Sequence, residues 1–477
     1  MKNLDRIGNK VFGDGFVGRK NLIRQLQDCC TSQNFSVVGL PKIGKSSLVY
    51  HSIIYNKRDV RRNNYRPFIP VFVDCGPASS IQEFFNNITI SVYNELQKVL
   101  PDERRQQLLN DYSEYNNNVI NNLSISVMGF FNTLMNYQID IVIILDDFDR
   151  VRTIKGFDGT RLAIIRTLSE LAYIKFIIIS KRHLSIIENW NEDPSHNPSN
   201  LFQCFKEIIV GNFDVDEWNI YWDRVFLDHS DIIIEDRKRI KEEAFHYTGF
   251  NPFWTAFFAR CYVDSLKYNS TFNNSMRQVE MTRCAYFPMK EFLCDDKNYK
   301  NNILDTAIQA ITGPVYKLNL VDITTLEQYG FLTHINCDKK NNIFGNDWGC
   351  RFYDNDTPKS YIASSVHFTS FLIREFTQAT YWQEWDYFFK KWHSLLSHFE
   401  LSYNISMTVI NQHWESEFNP VFNNNSFQWF STRFNHILGY KCKEKSELPI
   451  NEENIDRVNN YLTELTNMIE KYLKQFV

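Results

Sequence analysis

The stretch "FSVVGLPKIGKSSLVYHS", Phe35 to Ser52, restricts this chain more than any other. A short apolar run leads into Gly39-x-x-x-x-Gly44-Lys45-Ser46, and a segment able to continue as a helix follows. Holding a string of phosphates requires several backbone N–H groups aimed at its oxygens. A glycine-rich turn opening into a helix N-terminus supplies them, and the helix dipole adds to the attraction. Gly39 and Gly44 can take backbone angles that a side chain would forbid. Lys45 is then placed to reach the β and γ phosphates, and the Ser46 hydroxyl to ligate Mg2+. The expected lining of the loop is Gly39, Pro41, Lys42, Ile43, Gly44, Lys45, Ser46 and Ser47. A glycine-rich turn with a surface lysine is the competing reading, and the flanking strand and helix weigh against it.

A second element belongs with the first. "IDIVIILDDFDRV" is an aliphatic run ending in Asp146 and Asp147, the Walker B arrangement, with Asp146 standing 101 residues after Lys45. A strand's C-terminal end there presents a carboxylate to the metal shell, so Ser46 and Asp146 are the expected Mg2+ ligands. Asp147 is either the acid that polarises the attacking water or a solvated strand-end carboxylate. A third run, "IKFIIISKRHLSIIE", ends in Ser180-Lys181-Arg182. Ser180 and Arg182 are either γ-phosphate sensors or a helix-capping serine beside a basic surface residue. No Asn-Lys-x-Asp element that reads guanine follows, which favours adenine, hence ATP and ADP.

Around these motifs the pattern predicts an α/β fold. Strands are expected at Ser36–Val38, Pro70–Asp74, Ile141–Leu145, Phe176–Ser180 and Glu207–Val210. Each is short and aliphatic, as for strands buried on both faces, and the intervals are long enough for crossover helices of a parallel sheet. With 477 residues, two to four domains are expected. Boundaries fall at 1–213 for the P-loop core, 214–305 for a helical lid, 306–375 for a winged helix and 376–477 for a C-terminal helical domain. "FNNITISVYNELQKVL", "YNNNVINN" and "NSTFNNSMRQ" are Asn-rich and read as loops or helix ends.

Net charge is −4, so no global pull toward nucleic acid or anionic membrane is expected. The first twenty residues hold no apolar signal-peptide core, and no apolar run approaches the roughly 20 residues of a membrane span. The ten cysteines include no CxxC, so metal-ligand spacing is absent, and a disulfide framework is not expected in a chain this long. The expected compartment is the cytoplasm.

Together the motifs resemble a family. "FVGR" (Phe16–Arg19), the P-loop, "ILDDFD" and the strand end "SKR" stand in the order of the STAND NTPases, signal-transduction ATPases related to AAA+ and to Orc/Cdc6 initiators. The resemblance spans about residues 14–375 and implies that Val17, Gly18 and Arg19 lie against the adenine and phosphates. It makes Ser180 and Arg182 the sensor pair. In "YTGFNPFW" it makes Pro252 the lid proline that packs on the base, although two residues separate Gly249 from Pro252. In "SSVHFTSFL" it makes His367 a candidate for the β phosphate of ADP, against the reading of a structural histidine. The surroundings depart from the family, since neither a fused enzymatic effector nor a repeat array fits the remaining sequence.

In the tail, Trp382, Trp385, Phe389, Trp392, Leu396 and Phe399 draw one aromatic stripe along a helix. Ile455, Val458, Leu462, Leu465, Ile469, Tyr472 and Phe476 draw a heptad-like seam. Both read as packing within a small α domain or as an interface with a protomer or partner. The function expected from the resemblance is a Mg2+-dependent ATPase with slow, regulatory hydrolysis. It would act as a nucleotide-controlled conformational and oligomerisation switch in bacterial stress or antiviral defence, with a separately encoded effector. Homo-oligomerisation is expected and a membrane partner is not. The alternative is an Orc/Cdc6-like ATPase that binds DNA through its winged helix. It is not favoured, because Asp347, Asp354 and Asp356 accompany Lys339, Lys340 and Arg351 in the wing. A fast ATPase motor is the third possibility.

Overall fold

The computed structural model describes residues 10–29, 32–55, 68–120, 122–188, 200–230, 237–268, 326, 328–335 and 360–363. The chain divides into two compact units, Met1–Ser230 and Asp231–Val477.

The first unit is built on five parallel strands: β1 Asn34–Val38, β2 Phe68–Asp74, β3 Asp140–Asp146, β4 Ile174–Ser180 and β5 Phe205–Ile209. Their order across the sheet is β2-β3-β4-β1-β5. All five expected strands are present, with ends shifted by a few residues. β3 is buried over Ile141–Leu145, which explains its unbroken aliphatic run, and β1 is buried along its whole length, its polar Asn34 and Ser36 included. Edge strand β5 instead exposes Lys206 and Glu207 and buries Ile208. It is drawn from Glu207 by sequence and starts at Phe205, and it extends through the Val210 N–H, which donates to the Val38 carbonyl at 2.7 Å.

Helix α1 (Lys20–Cys29) precedes β1, and α2 (Lys45–Val49) follows the glycine-rich loop, continuing as a π-helical segment over Tyr50–Tyr55. Between β2 and β3 lie α3 (Ile81–Gln97), α4 (Asp102–Asn118) and α5 (Leu123–Thr133). Here one expectation is corrected. The Asn-rich stretch from Phe85 to Gln97 is the body of a 17-residue helix. Phe84, Phe85, Ile88, Thr89, Val92 and Leu96 fall on one buried face, and that burial outweighs the weak helix propensity of Asn86, Asn87 and Asn94. The second Asn-rich stretch does mark helix ends. Asn118 closes α4, and the Asn122 side chain caps α5 by accepting from the Ile125 N–H. The third lies outside the described residues.

Helix α6 (Gly159–Ser169) joins β3 to β4, and the short α7 (Leu184–Glu188) follows β4. Helix α8 (Val215–Asp228) begins with a capping box formed by Asp214 and Glu217 and lies in the first unit. The second unit contributes α9 (Arg237–Thr248), α10 (Pro252–Lys267) and an antiparallel pair, β6 (Leu332–Ile335) with β7 (Ser360–Ala363). His367, both tail helices and most of 269–377 lie outside the described residues. Among the described residues no helix is long and apolar enough to cross a membrane, and Cys75, Cys204 and Cys261 are free thiols.

Candidate functional site

The C-terminal edge of the parallel sheet, where strand order reverses on either side of β1, is where such folds leave a crevice. The register sets Val38 of β1 beside Ser180 of β4, so the loop that begins at Gly39 leaves the sheet next to the β4 tip. A Cβ on Gly39 would lie 2.5 Å from the Val210 carbonyl oxygen. Only glycine lets β5 close alongside. Gly44 turns the chain into α2 at φ 102°, and Lys42 also sits in the left-handed region at φ 64°. Ile43 is buried, Pro41 half-buried and Lys42 exposed, which pins the middle of the loop to the protein.

Lys45 is buried and folds back along this loop. Its Nζ donates to the carbonyls of Gly39 at 2.7 Å and Leu40 at 2.8 Å. Burial lowers its pKa to about 8, against the opposing pull of Asp149 and Asp146. The Ser46 hydroxyl donates to Asp146 Oδ1 at 2.8 Å, and the Asp147 N–H donates to the same oxygen at 3.1 Å. The other oxygen of Asp146 faces Lys10 Nζ at 3.3 Å. The loop helix and the β3 tip, a hundred residues apart, thus meet across the end of β4. A hydroxyl and a carboxylate converging from two segments are the oxygen donors that a small hard cation takes, so these residues fit Mg2+. Ser47 turns elsewhere, its hydroxyl accepting from the Val11 N–H at 3.0 Å.

The tips of β3 and β4 are cross-tied. Asp147, left-handed at φ 54°, pairs with Arg150 at 3.1 Å and stands 3.9 Å from Lys181 Nζ. Asp149 is buried; it accepts from the Lys181 N–H and pairs with Arg182 at 3.4 Å. The Ser180 hydroxyl donates to the Arg182 carbonyl at 2.6 Å. Ser180 and Arg182 therefore both stand at the β4 tip beside the loop, engaged with protein partners there.

Val17, Gly18 and Arg19 form a tight turn, with φ 76° at Gly18 and 62° at Arg19. The Arg19 guanidinium donates to the carbonyls of Asn212 at 2.7 Å and Gly211, lies 3.7 Å from Glu217 and stacks over Phe213 at 5.1 Å. The Arg19 N–H also donates to Glu217. Its charge is spent on the β5–α8 junction, a clamp that the sequence reading directed toward the nucleotide. A Cβ on Gly18 would meet Glu217 Cδ at 2.8 Å, which accounts for the glycine.

In the second unit, Pro252 occupies the first turn of α10, where its missing N–H costs nothing. The Asn251 side chain caps that helix by accepting from the N–H groups of Phe253 and Trp254 at 3.1 and 3.2 Å. Sequence reasoning left Asp149 unassigned and gave no role to Lys10. The signal for Asp149 was the third acid of "DDFD"; for Lys10 there was none. Among the described residues no group of three or more His, Cys, Asp or Glu could hold a metal ion.

No family model matches the sequence, and no curated protein matches it. Solved structures similar to this chain include a Walker-type ATPase of Pyrococcus abyssi, at 15% identity and a TM-score of 0.48, covering 77% of this chain and 99% of that one. The Orc2 protein of Aeropyrum pernix, solved as ADPNP–ADP complexes, gives 8% identity and 0.45 over 80% of this chain and 99% of its own. Cdc6p of Pyrobaculum aerophilum gives 10% and 0.36 over 77% and 99%.

Proposed function

We propose that the chain is a P-loop ATPase that binds ATP and ADP with Mg2+ and uses the bound nucleotide as a conformational and oligomerisation switch. The observation that carries this reading is the Ser46–Asp146 contact at 2.8 Å, with Lys45 buried directly beside it. Phosphate oxygens replace the carbonyls of Gly39 and Leu40 as partners of Lys45, exchanging neutral acceptors for charged ones. The metal neutralises phosphate charge and orients the terminal group when bound. Asp147 stands at the β3 tip to orient a water, and Ser180 and Arg182 stand at the neighbouring tip to register the terminal phosphate. A group already held by Asp149 responds to that phosphate only by changing partners, which suits slow hydrolysis and a regulatory role.

The switch itself follows from differential binding: nucleotide biases two arrangements only by contacting one of them better. Homo-oligomerisation, a separately encoded effector, a defence setting, and roles for Pro252 and His367 at the base and β phosphate belong to the same proposal. Particle size in ADP and in ATP, measured for the wild type, Lys45→Ala and Asp146→Ala, tests it. The wild type is expected to change size between the two nucleotides and both variants to lose the change. Assembly indifferent to both substitutions would remove the switch.

A further inference from the structure

Residues Lys10–Phe16 form a strap across the loop helix and its π-helical continuation. The Val11 N–H donates to Ser47 Oγ and the Gly13 N–H to His51 Nδ1, both at 3.0 Å. Phe16 stacks on the His51 ring at 4.4 Å, and Phe12 packs on Tyr50 and Tyr55 at 5.0 and 5.7 Å. From α8, Arg224 donates to the carbonyls of Asp14 and Phe16 at 3.1 and 3.2 Å. This anchoring delivers Lys10 to one place. Its ammonium lies 3.5 Å from the centre of the Phe72 ring and 3.3 Å from Asp146 Oδ2. The Ser46 hydroxyl holds the other oxygen of that carboxylate.

We propose that Lys10 is a residue of the metal site: its ammonium occupies the free oxygen of Asp146 and competes with the divalent ion for it, so that Lys10 sets the magnesium requirement for nucleotide loading. The inference rests on the nucleotide-binding reading above. A monovalent cation on a carboxylate at the mouth of the cradle keeps the charge of Asp146 balanced and orders the strap over Ser47 and His51. A divalent ion drawn to Ser46 and Asp146 is opposed by that ammonium, which stands on the same carboxylate. Loading then releases Lys10 from Asp146 and loosens the strap at its first residue.

The experiment is a MgCl2 titration of the full chain at fixed ionic strength, read by the fluorescence of a bound ADP analogue, for wild type, Lys10→Met and Lys10→Arg. Lys10 is 40% exposed at its side chain, so its removal leaves the fold intact and the competition modest. The magnesium midpoint is expected to fall about two- to fivefold in Lys10→Met and to stay near wild type in Lys10→Arg, which keeps the charge. Gly13→Ala, whose new Cβ would meet the Tyr55 ring at 2.8 Å, lifts the strap without touching the charge and is expected to lower the midpoint as well. An unchanged or higher midpoint in Lys10→Met, with nucleotide still bound by the wild type, overturns the role of Lys10 alone. Absence of nucleotide binding by the wild type at every magnesium concentration overturns the nucleotide reading and this inference together.

Discussion

Two basic side chains of the first unit are capped alike and serve opposite ends. Lys45 donates to the carbonyls of Gly39 and Leu40, and Arg19 donates to those of Gly211 and Asn212. Beyond the carbonyls they part. Arg19 has Glu217 beside it and Phe213 beneath it, so its charge is matched inside the protein. The partners of Lys45 are neutral, and the acids Asp146 and Asp149 act on it through space. A cation held by neutral acceptors can change partner at little cost, whereas one already paired cannot. On the nucleotide-binding proposal, the difference separates a charge free to meet a ligand from a charge used to close the fold.

The largest expected effect tests the locked end. Arg19→Met leaves the carbonyls of Gly211 and Asn212 without their donor and Glu217 without its ion partner, and is expected to cost about 3–5 kcal/mol. That lowers the melting temperature by on the order of 10 °C in thermal unfolding, while the folded fraction still binds nucleotide. Stability equal to wild type would erase the contrast. Lys45→Met is the mirror experiment. ADP affinity by titration is expected to drop on the order of 100-fold. Stability should stay level or rise by about 1 kcal/mol, because a buried ammonium is gone.

Gly39→Ala sharpens the comparison at the backbone. The new Cβ, 2.5 Å from the Val210 carbonyl, forces β5 from the loop, with an expected cost of about 1–3 kcal/mol in urea unfolding. The smallest effect is electrostatic. Lys45 is held near pKa 8 by burial, and phosphates stabilise its charged form. Proton uptake therefore accompanies binding wherever the free site is deprotonated. ADP affinity is expected to be flat below that value and to fall as pH rises through it, approaching about tenfold per pH unit. A flat profile up to pH 10 would mean that Lys45 does not meet the phosphates as a cation.

Legibility in the sequence followed the range of the interactions. The inner strands were readable because burial on both faces leaves a largely apolar record, and β5 was blurred at its start because Lys206 and Glu207 both stand exposed there. The meeting of the loop with Asp146 was foreshadowed by the glycine spacing and by the acid at the end of an aliphatic strand, and Ser46 makes that contact. Asp149 was not, since its role depends on Lys181 and Arg182, brought next to it by strand pairing. The Arg19–Glu217 contact was hidden for a related reason: an arginine beside a glycine turn looks the same whether it faces phosphate or a carboxylate. Helix α3 was hidden by its asparagines, whose weak helix propensity masks the buried apolar face between them.

The carboxylate of Asp149 has a mechanical corollary. Since one buried side chain grips both the amide of Lys181 and the guanidinium of Arg182, the ends of β3 and β4 cannot shift separately. A movement of either strand end would strain the contacts of the other.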